Sequence, residues 1–201
     1  MIIFLDSETT NIDLYSAEII EAYFAVYDDG KIIDEYFLNS KVDNWSDEAQ
    51  KIHGIDYYKM LSYPDKKQAY NLFLSWAKKY KNPTFGVFAN PCTTYGHITY
   101  DAAIIKREMF DLYGYNHAIY YKYFNDNHLN VHLLAKKLAK ENKFNPIRGK
   151  SGRQSFSQVN VYKVLFQEEY DAHNAFDDTQ SMIKIYEELK RLENNEQRIF
   201  I

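Results

Sequence analysis

A chain of 201 residues with a formal net charge of −4 is long enough to bury the core of one α/β domain, taken as 1–201, and lacks the basic excess that holds nucleic acid by broad electrostatics. It has no apolar run near the roughly 20 residues of a membrane helix and no secretory leader, so a cytoplasmic protein without a membrane partner is expected. Its single cysteine, Cys92, excludes an internal disulfide and a cysteine-based zinc cluster.

The first expected element is a strand over 2–6, where Ile2, Ile3, Phe4 and Leu5 run straight into Asp6 as in a buried central strand. Side chains alternate across a strand, so Asp6 and Glu8 share one face while Ser7 points away. Two carboxylates held that close repel and raise each other's pKa unless a cation lies between them, and hard oxygen ligands suit Mg²⁺ or Mn²⁺. Strands over 17–28 and 31–38 follow, joined by a hairpin turn at Asp28, Asp29 and Gly30. A short helix over 46–52 precedes one over 66–80, in which Tyr70, Phe73, Leu74 and Ala77 recur at helical spacing as packing residues.

A strand over 84–89 leads to a helix over 100–113. Asp101 opens the buried stripe of that helix, Ile104, Ile105, Met109 and Leu112, with Lys106, Arg107 and Asp111 outside it. A capping acid is free to look at water, whereas Asp101 faces the core. A strand near 118–123 and helices over 128–142, 155–166 and 175–193 complete the chain. In the last helix, steps of four, three and four residues from Asp178 reach Met182, Ile185 and Leu189, but the same steps from Asp177 reach Ser181, Lys184 and Glu188. Asp178 therefore faces the interior, and Asp177 belongs to a solvated first turn where an acid favours the helix dipole. His173, five residues ahead of Asp178, can reach the same pocket from the preceding loop.

With these residues in order, the chain resembles the DEDDh (DnaQ-like) exonuclease superfamily, which includes proofreading exonuclease subunits, ribonuclease T and oligoribonuclease. FLDSETT resembles the first motif, AEIIEAYFAVYDDGKIIDEYF the second and third strands, and DEAQKIHGI the helix that follows. GHITYDAAII resembles the second motif, LNVHLLAKKLA and SFSQVNVYKVL the two helices before the third, and YDAHNAFDDTQSM the third motif itself. The resemblance implies a ribonuclease H-like fold, a mixed β-sheet flanked by helices. It also implies a catalytic set of Asp6, Glu8, Asp101, Asp178 and His173. The four carboxylates would be ligands of two divalent ions, Mg²⁺ or Mn²⁺, with Asp6 bridging them, and His173 would be the general base. Two positions depart from the family pattern: His97 stands four rather than five residues before Asp101 and receives no role, and Asn130 replaces a frequent aspartate.

The implied activity is metal-dependent 3′-to-5′ exonucleolytic hydrolysis at single-stranded 3′ ends, DNA slightly favoured, releasing nucleoside 5′-monophosphates. The rivals are an exoribonuclease acting on short RNA or RNA tails and a catalytically silent nucleic-acid-binding module. Clustered carboxylates that cost stability when unpaired argue against the silent module. Candidate substrate contacts are Thr9 and Thr10 beside the first motif, His53 in KIHGI, Tyr100 before Asp101, and the basic linker residues Arg148, Lys150 and Arg153. The partners expected are a single-stranded DNA or RNA 3′ end, together with a second copy of the chain, packed through the tail 194–201, or a polymerase or other replication partner.

Overall fold

The computed structural model describes residues 1–81, 83–88, 99–114, 128–149 and 152–194. Five strands, β1 (Ile2–Thr9), β2 (Ile19–Asp28), β3 (Lys31–Asn39), β4 (Thr84–Val87) and β5 (His128–Asn130), form one mixed sheet in the order β3-β2-β1-β4-β5. β1, β2 and β3 are antiparallel neighbours, while β4 runs parallel to β1 and β5 parallel to β4. The hairpin register sets Asp28 opposite Lys31 and leaves Asp29 and Gly30 as a two-residue loop with φ of 48° and 78°. Two successive positive φ values are those of a type I′ turn, whose twist matches that of the strands it joins.

Alternation along β1 splits the core into two layers. Ile3 and Leu5 pack with α3 (Lys66–Ala77) and α4 (Tyr100–Tyr113). Phe4 packs on the opposite side with α5 (Val131–Lys140), α6 (Gln158–Phe166) and α7 (Ala175–Glu193). Gly86 is paired with Phe4 across β1 and β4, and a Cβ there would overlap the Phe4 ring, so this position needs a residue without a side chain. Two short helices, α1 (Asp47–His53) and α2 (Tyr57–Leu61), stand beside the sheet, where Met60 packs with Ile20, Ile55 and Tyr63 in a smaller cluster. Among the described residues no helix is long and apolar enough to cross a membrane.

Several details differ from the sequence expectation. β1 continues to Thr9, so both of its carboxylates lie inside the strand instead of at its end. α2 was not expected, and α3 stops at Ala77. Residues 128–130 pair with β4 instead of opening a helix, and Asn130 caps α5 by accepting the Leu133 N–H at 3.2 Å. A short polar acceptor is what a helix start requires, so asparagine can serve at this position as aspartate does. Lys106, expected outside the α4 stripe, is buried, and so is Glu108, which pairs with Lys66 at 2.9 Å and accepts from Tyr70 Oη at 2.6 Å. The strand expected near 118–123, together with Cys92, His97 and residues 195–201, lies outside the described residues.

Candidate active site

Asp6 and Glu8 follow the alternation that places Phe4 in the layer of α7, so both carboxylates look toward that helix. At its first turn stands Asp178, held there because Asn174 caps α7 and accepts the N–H groups of Phe176 and Asp177. Asp6, Glu8 and Asp178 each present an oxygen, and the three oxygens lie within 4.8 Å of one another. Asp101 arrives from the opposite layer, on the first turn of α4, where its Oδ1 accepts the Ser7 hydroxyl at 2.6 Å. Ser7 does point away from Asp6 and Glu8, and by doing so it meets α4 and holds the fourth carboxylate.

The Asp178 carboxylate is held on several sides. Tyr170 Oη donates to Oδ1 at 2.6 Å, and the His173 main-chain N–H donates to Oδ2 at 2.9 Å. Gln158 Nε2 donates to Asp178 O at 2.6 Å and reaches Oδ1 at 3.4 Å. His173 adopts a φ of 72°, a left-handed conformation unusual for a non-glycine residue, and its side chain is exposed beside Asp178. Backbone strain of this kind concentrates at functional sites.

The field within the cluster is strongly negative. Burial, and then the charges of Asp101, Asp178 and Glu8, hold the Asp6 carboxyl well above its ordinary pKa. Burial, and then Asp178, Asp101 and Glu21, push Glu8 up to about 7. Burial raises Asp101 as well, opposed by the Ser7 hydroxyl and by backbone N–H groups. Among the described residues no lysine or arginine pairs with any of the four acids. An all-oxygen donor set with this much unneutralised charge fits a hard divalent cation.

Beside Glu8 a cavity of about 270 Å³ is lined by Thr9, Asn11, Ile12, Ala49, Ile52 and His53. His53 Nδ1 accepts the Ile55 N–H at 2.9 Å, and burial lowers the pKa of the ring. A neutral ring in that bonding state carries its proton on Nε2, which is buried and has no partner among the described residues. Thr9 also lines the cavity, and its hydroxyl donates to Asn11 O at 2.9 Å.

The remaining expected contacts are placed differently. Thr10 is fully buried, and its Oγ1 accepts the Glu18 N–H at 3.0 Å, so it serves the β1–β2 connection and faces away from the cavity. Tyr100 packs on the core, and its hydroxyl donates to Asn11 O at 2.7 Å, which makes it a support for the cavity wall. Arg148 and Arg153 are exposed on a tight turn in which Gly149 N–H donates to Arg153 O at 2.8 Å and Arg148 Nη1 to Gly152 O at 3.0 Å. Lys150 lies outside the described residues. Three residues at the site escaped sequence reasoning: Ser7, Tyr170 and Gln158. Ser7 was detectable in principle, because its face of β1 is the one against which α4 must pack.

No family model matches the chain, and no curated protein matches it. Among solved structures it is similar to the moderately thermophilic Exonuclease I from Methylocaldum szegediense, at 14% identity and a TM-score of 0.74 over 94% of this chain and 40% of that one. It is similar to E. coli Exonuclease I in complex with a dT13 oligonucleotide, at 14% identity and a TM-score of 0.77 over 96% and 42% of the two chains. It is also similar to the zinc-bound E. coli ExoI–ssDNA complex, at 13% identity and a TM-score of 0.76 over 96% and 42%. The chain thus spans about two-fifths of the length of the exonucleases it matches and shares their α/β fold, a mixed sheet flanked by helices.

Proposed function

We propose that this chain is a metal-dependent 3′-to-5′ exonuclease that hydrolyses the terminal phosphodiester of single-stranded nucleic acid, DNA in preference to RNA, and releases nucleoside 5′-monophosphates. The observation that carries the reading is the convergence of Asp6, Glu8 and Asp178 oxygens within 4.8 Å, with Asp101 held beside them, next to a mostly apolar cavity of nucleoside size. The similarity to exonucleases in complex with single-stranded DNA supports the choice of polymer.

In this reading Asp6, Glu8, Asp101 and Asp178 hold two divalent cations. When bound, such a pair lowers the pKa of a water and neutralises charge on the attacking and leaving oxygens of the phosphodiester. The terminal nucleoside occupies the cavity beside Glu8, its base and sugar against Ile12, Ala49 and Ile52. Ser7 keeps Asp101 in register, and Tyr170 and Gln158 keep Asp178 in register, so neither carboxylate has to reorganise during the reaction. His173, with its main chain tied to Asp178 and its ring exposed, takes the proton from the attacking water. The water oxygen bonds to phosphorus as the P–O3′ bond breaks, the upstream O3′ gains a proton, and the phosphate stays on the 5′ oxygen of the released nucleotide.

The test is incubation with Mn²⁺ or Mg²⁺ and matched 5′-labelled single-stranded DNA and RNA, beside Asp6→Ala. Shortening from the 3′ end by the unmutated protein alone, faster on DNA, is the expected outcome. An intact label and full-length strands with every metal would overturn the reading, and faster RNA shortening would replace the polymer.

A further inference from the structure

A second cavity, of about 460 Å³, opens on the other side of the carboxylates and is lined by Phe88, His132, Lys136, Ser155, Ser157 and Gln158 among others. It lies at the ends of β4 and β5 that lead into the following segments, the edge where open α/β sheets receive ligands. Its wall is shared with the acidic cluster, because the Gln158 side chain is the one that bonds Asp178. The sheet order puts the nucleoside cavity on the β2 side of β1 and this one on the β4–β5 side. In the exonuclease reading, a strand with its last nucleoside in the first cavity and its scissile linkage at the carboxylates would reach the second cavity next.

The lining of this cavity is rich in donors. His132 is 7% exposed, and its Nδ1 is buried without a hydrogen-bond partner among the described residues. Burial and the neighbouring charge of Lys136 lower the pKa of its ring. Lys136 lies 5.8 Å from the Phe156 ring centroid and has no carboxylate partner among the described residues. α6 begins at the cavity: Ser157 is its cap and, among the described residues, accepts only the Asn160 N–H, at 3.4 Å, which leaves the Gln158 and Val159 N–H groups without an intrahelical acceptor. A helix N-terminus and an ammonium line one cavity together with the buried, unpartnered ring of His132, an arrangement suited to an anion. The turn carrying Arg148 and Arg153 leads directly into Gln154 and Ser155 of the lining, so positive charge continues at the rim.

We propose that this cavity is a subsite for an internucleotide phosphate of the single strand just upstream of the scissile bond, held by Lys136, His132 and the first turn of α6. The proposal rests on the exonuclease reading above and assigns the residues that grip the strand once its end is seated.

The experiment measures kcat/KM on 5′-labelled DNA in which one of the first four linkages upstream of the scissile one is a neutral methylphosphonate, for wild type, Lys136→Met and Lys136→Glu. Lys140→Met, on the exposed end of the same helix, is the control and should match wild type. Lys136→Met should lower kcat/KM on the all-phosphodiester strand about tenfold, and Lys136→Glu further, as expected for one charge-assisted phosphate contact. Neutralising one particular linkage should cost wild type a similar factor and Lys136→Met nothing more. Wild-type kcat/KM in Lys136→Met, or equal costs of neutralisation in both proteins at every linkage, would overturn the subsite. So would a Lys136→Met protein that degrades strands normally but has lost inhibition by inorganic phosphate, which would make the cavity a free-anion site. In each of these cases wild type still shortens the strand. If wild type shows no Asp6-dependent shortening at all, the exonuclease reading fails and the subsite fails with it.

Discussion

At Glu8, burial and the charges of Asp178 and Asp101 hold the pKa at about 7, well above the ordinary 4.5. In the metal-free protein the folded state therefore keeps this proton to higher pH than the unfolded chain does. The contribution of this group to stability is then greatest below about pH 4.5 and falls as pH rises toward 7, because the ionised form is the one that folding disfavours. Replacing Glu8 with Gln should remove about 2–3 kcal/mol of that fall, read from urea unfolding in EDTA at pH 5 and pH 8. A Glu8→Gln protein that keeps the wild-type slope would show that the repulsion lies elsewhere. In the proposed mechanism His173 acts through its ring, whereas its main-chain N–H serves Asp178, so the two roles separate on substitution. His173→Ala should lose roughly 10²–10³-fold in kcat while keeping the Mn²⁺-induced rise in Tm. If the rise disappears as well, His173 is a ligand and the base is another group.

α4 connects the acidic cluster to the wall of the cavity beside Glu8. Its first turn carries Asp101, and Tyr100 at its start bonds Asn11 O. Two turns further on, the Arg107 guanidinium donates to Leu14 O and Ala17 O. The connection 10–18 is thus tied to the same helix that positions a proposed metal ligand, and Asn11 and Ile12 face the cavity from it. Arg107→Met leaves two carbonyls without their donor and frees that wall. The expected result is a KM for single-stranded DNA raised roughly three- to tenfold with kcat within about twofold. A parallel loss of kcat would mean that Asp101 moved with the loop. Much at this scale was legible in advance, since Met182, Ile185 and Leu189 are all fully buried, as stepping from Asp178 required. Lys106 and Glu108 were not legible, because their burial depends on packing and on partners from other elements: Lys66 and Tyr70 on α3 satisfy Glu108.

Across the whole molecule the four carboxylates belong to both layers, Asp6 and Glu8 on β1, Asp178 on α7 from one side and Asp101 on α4 from the other. A cation bound among them ties the two layers together through the central strand. Mn²⁺ at about 100 times its Kd should add roughly 2.7 kcal/mol, a Tm increase of about 5–10 °C at pH 8, smaller at pH 5 and absent in Asp6→Ala. An equal rise in Asp6→Ala would place the cation outside this cluster. The sequence by itself determined the inward facing of Asp6, Glu8, Asp101 and Asp178, because that facing follows from the local periods of 2 and 3.6, which need no knowledge of distant partners, while the mixed sheet flanked by helices was expected from the family resemblance. Only the tertiary structure decided which groups hold those carboxylates and which candidates turn away. Ser7 meets Asp101 across 94 positions and Gln158 meets Asp178 across 20, while Thr10 is committed to Glu18 and Tyr100 to Asn11. Such contacts are set by how helices lie on a sheet, and strand or helix periodicity carries no information about that placement.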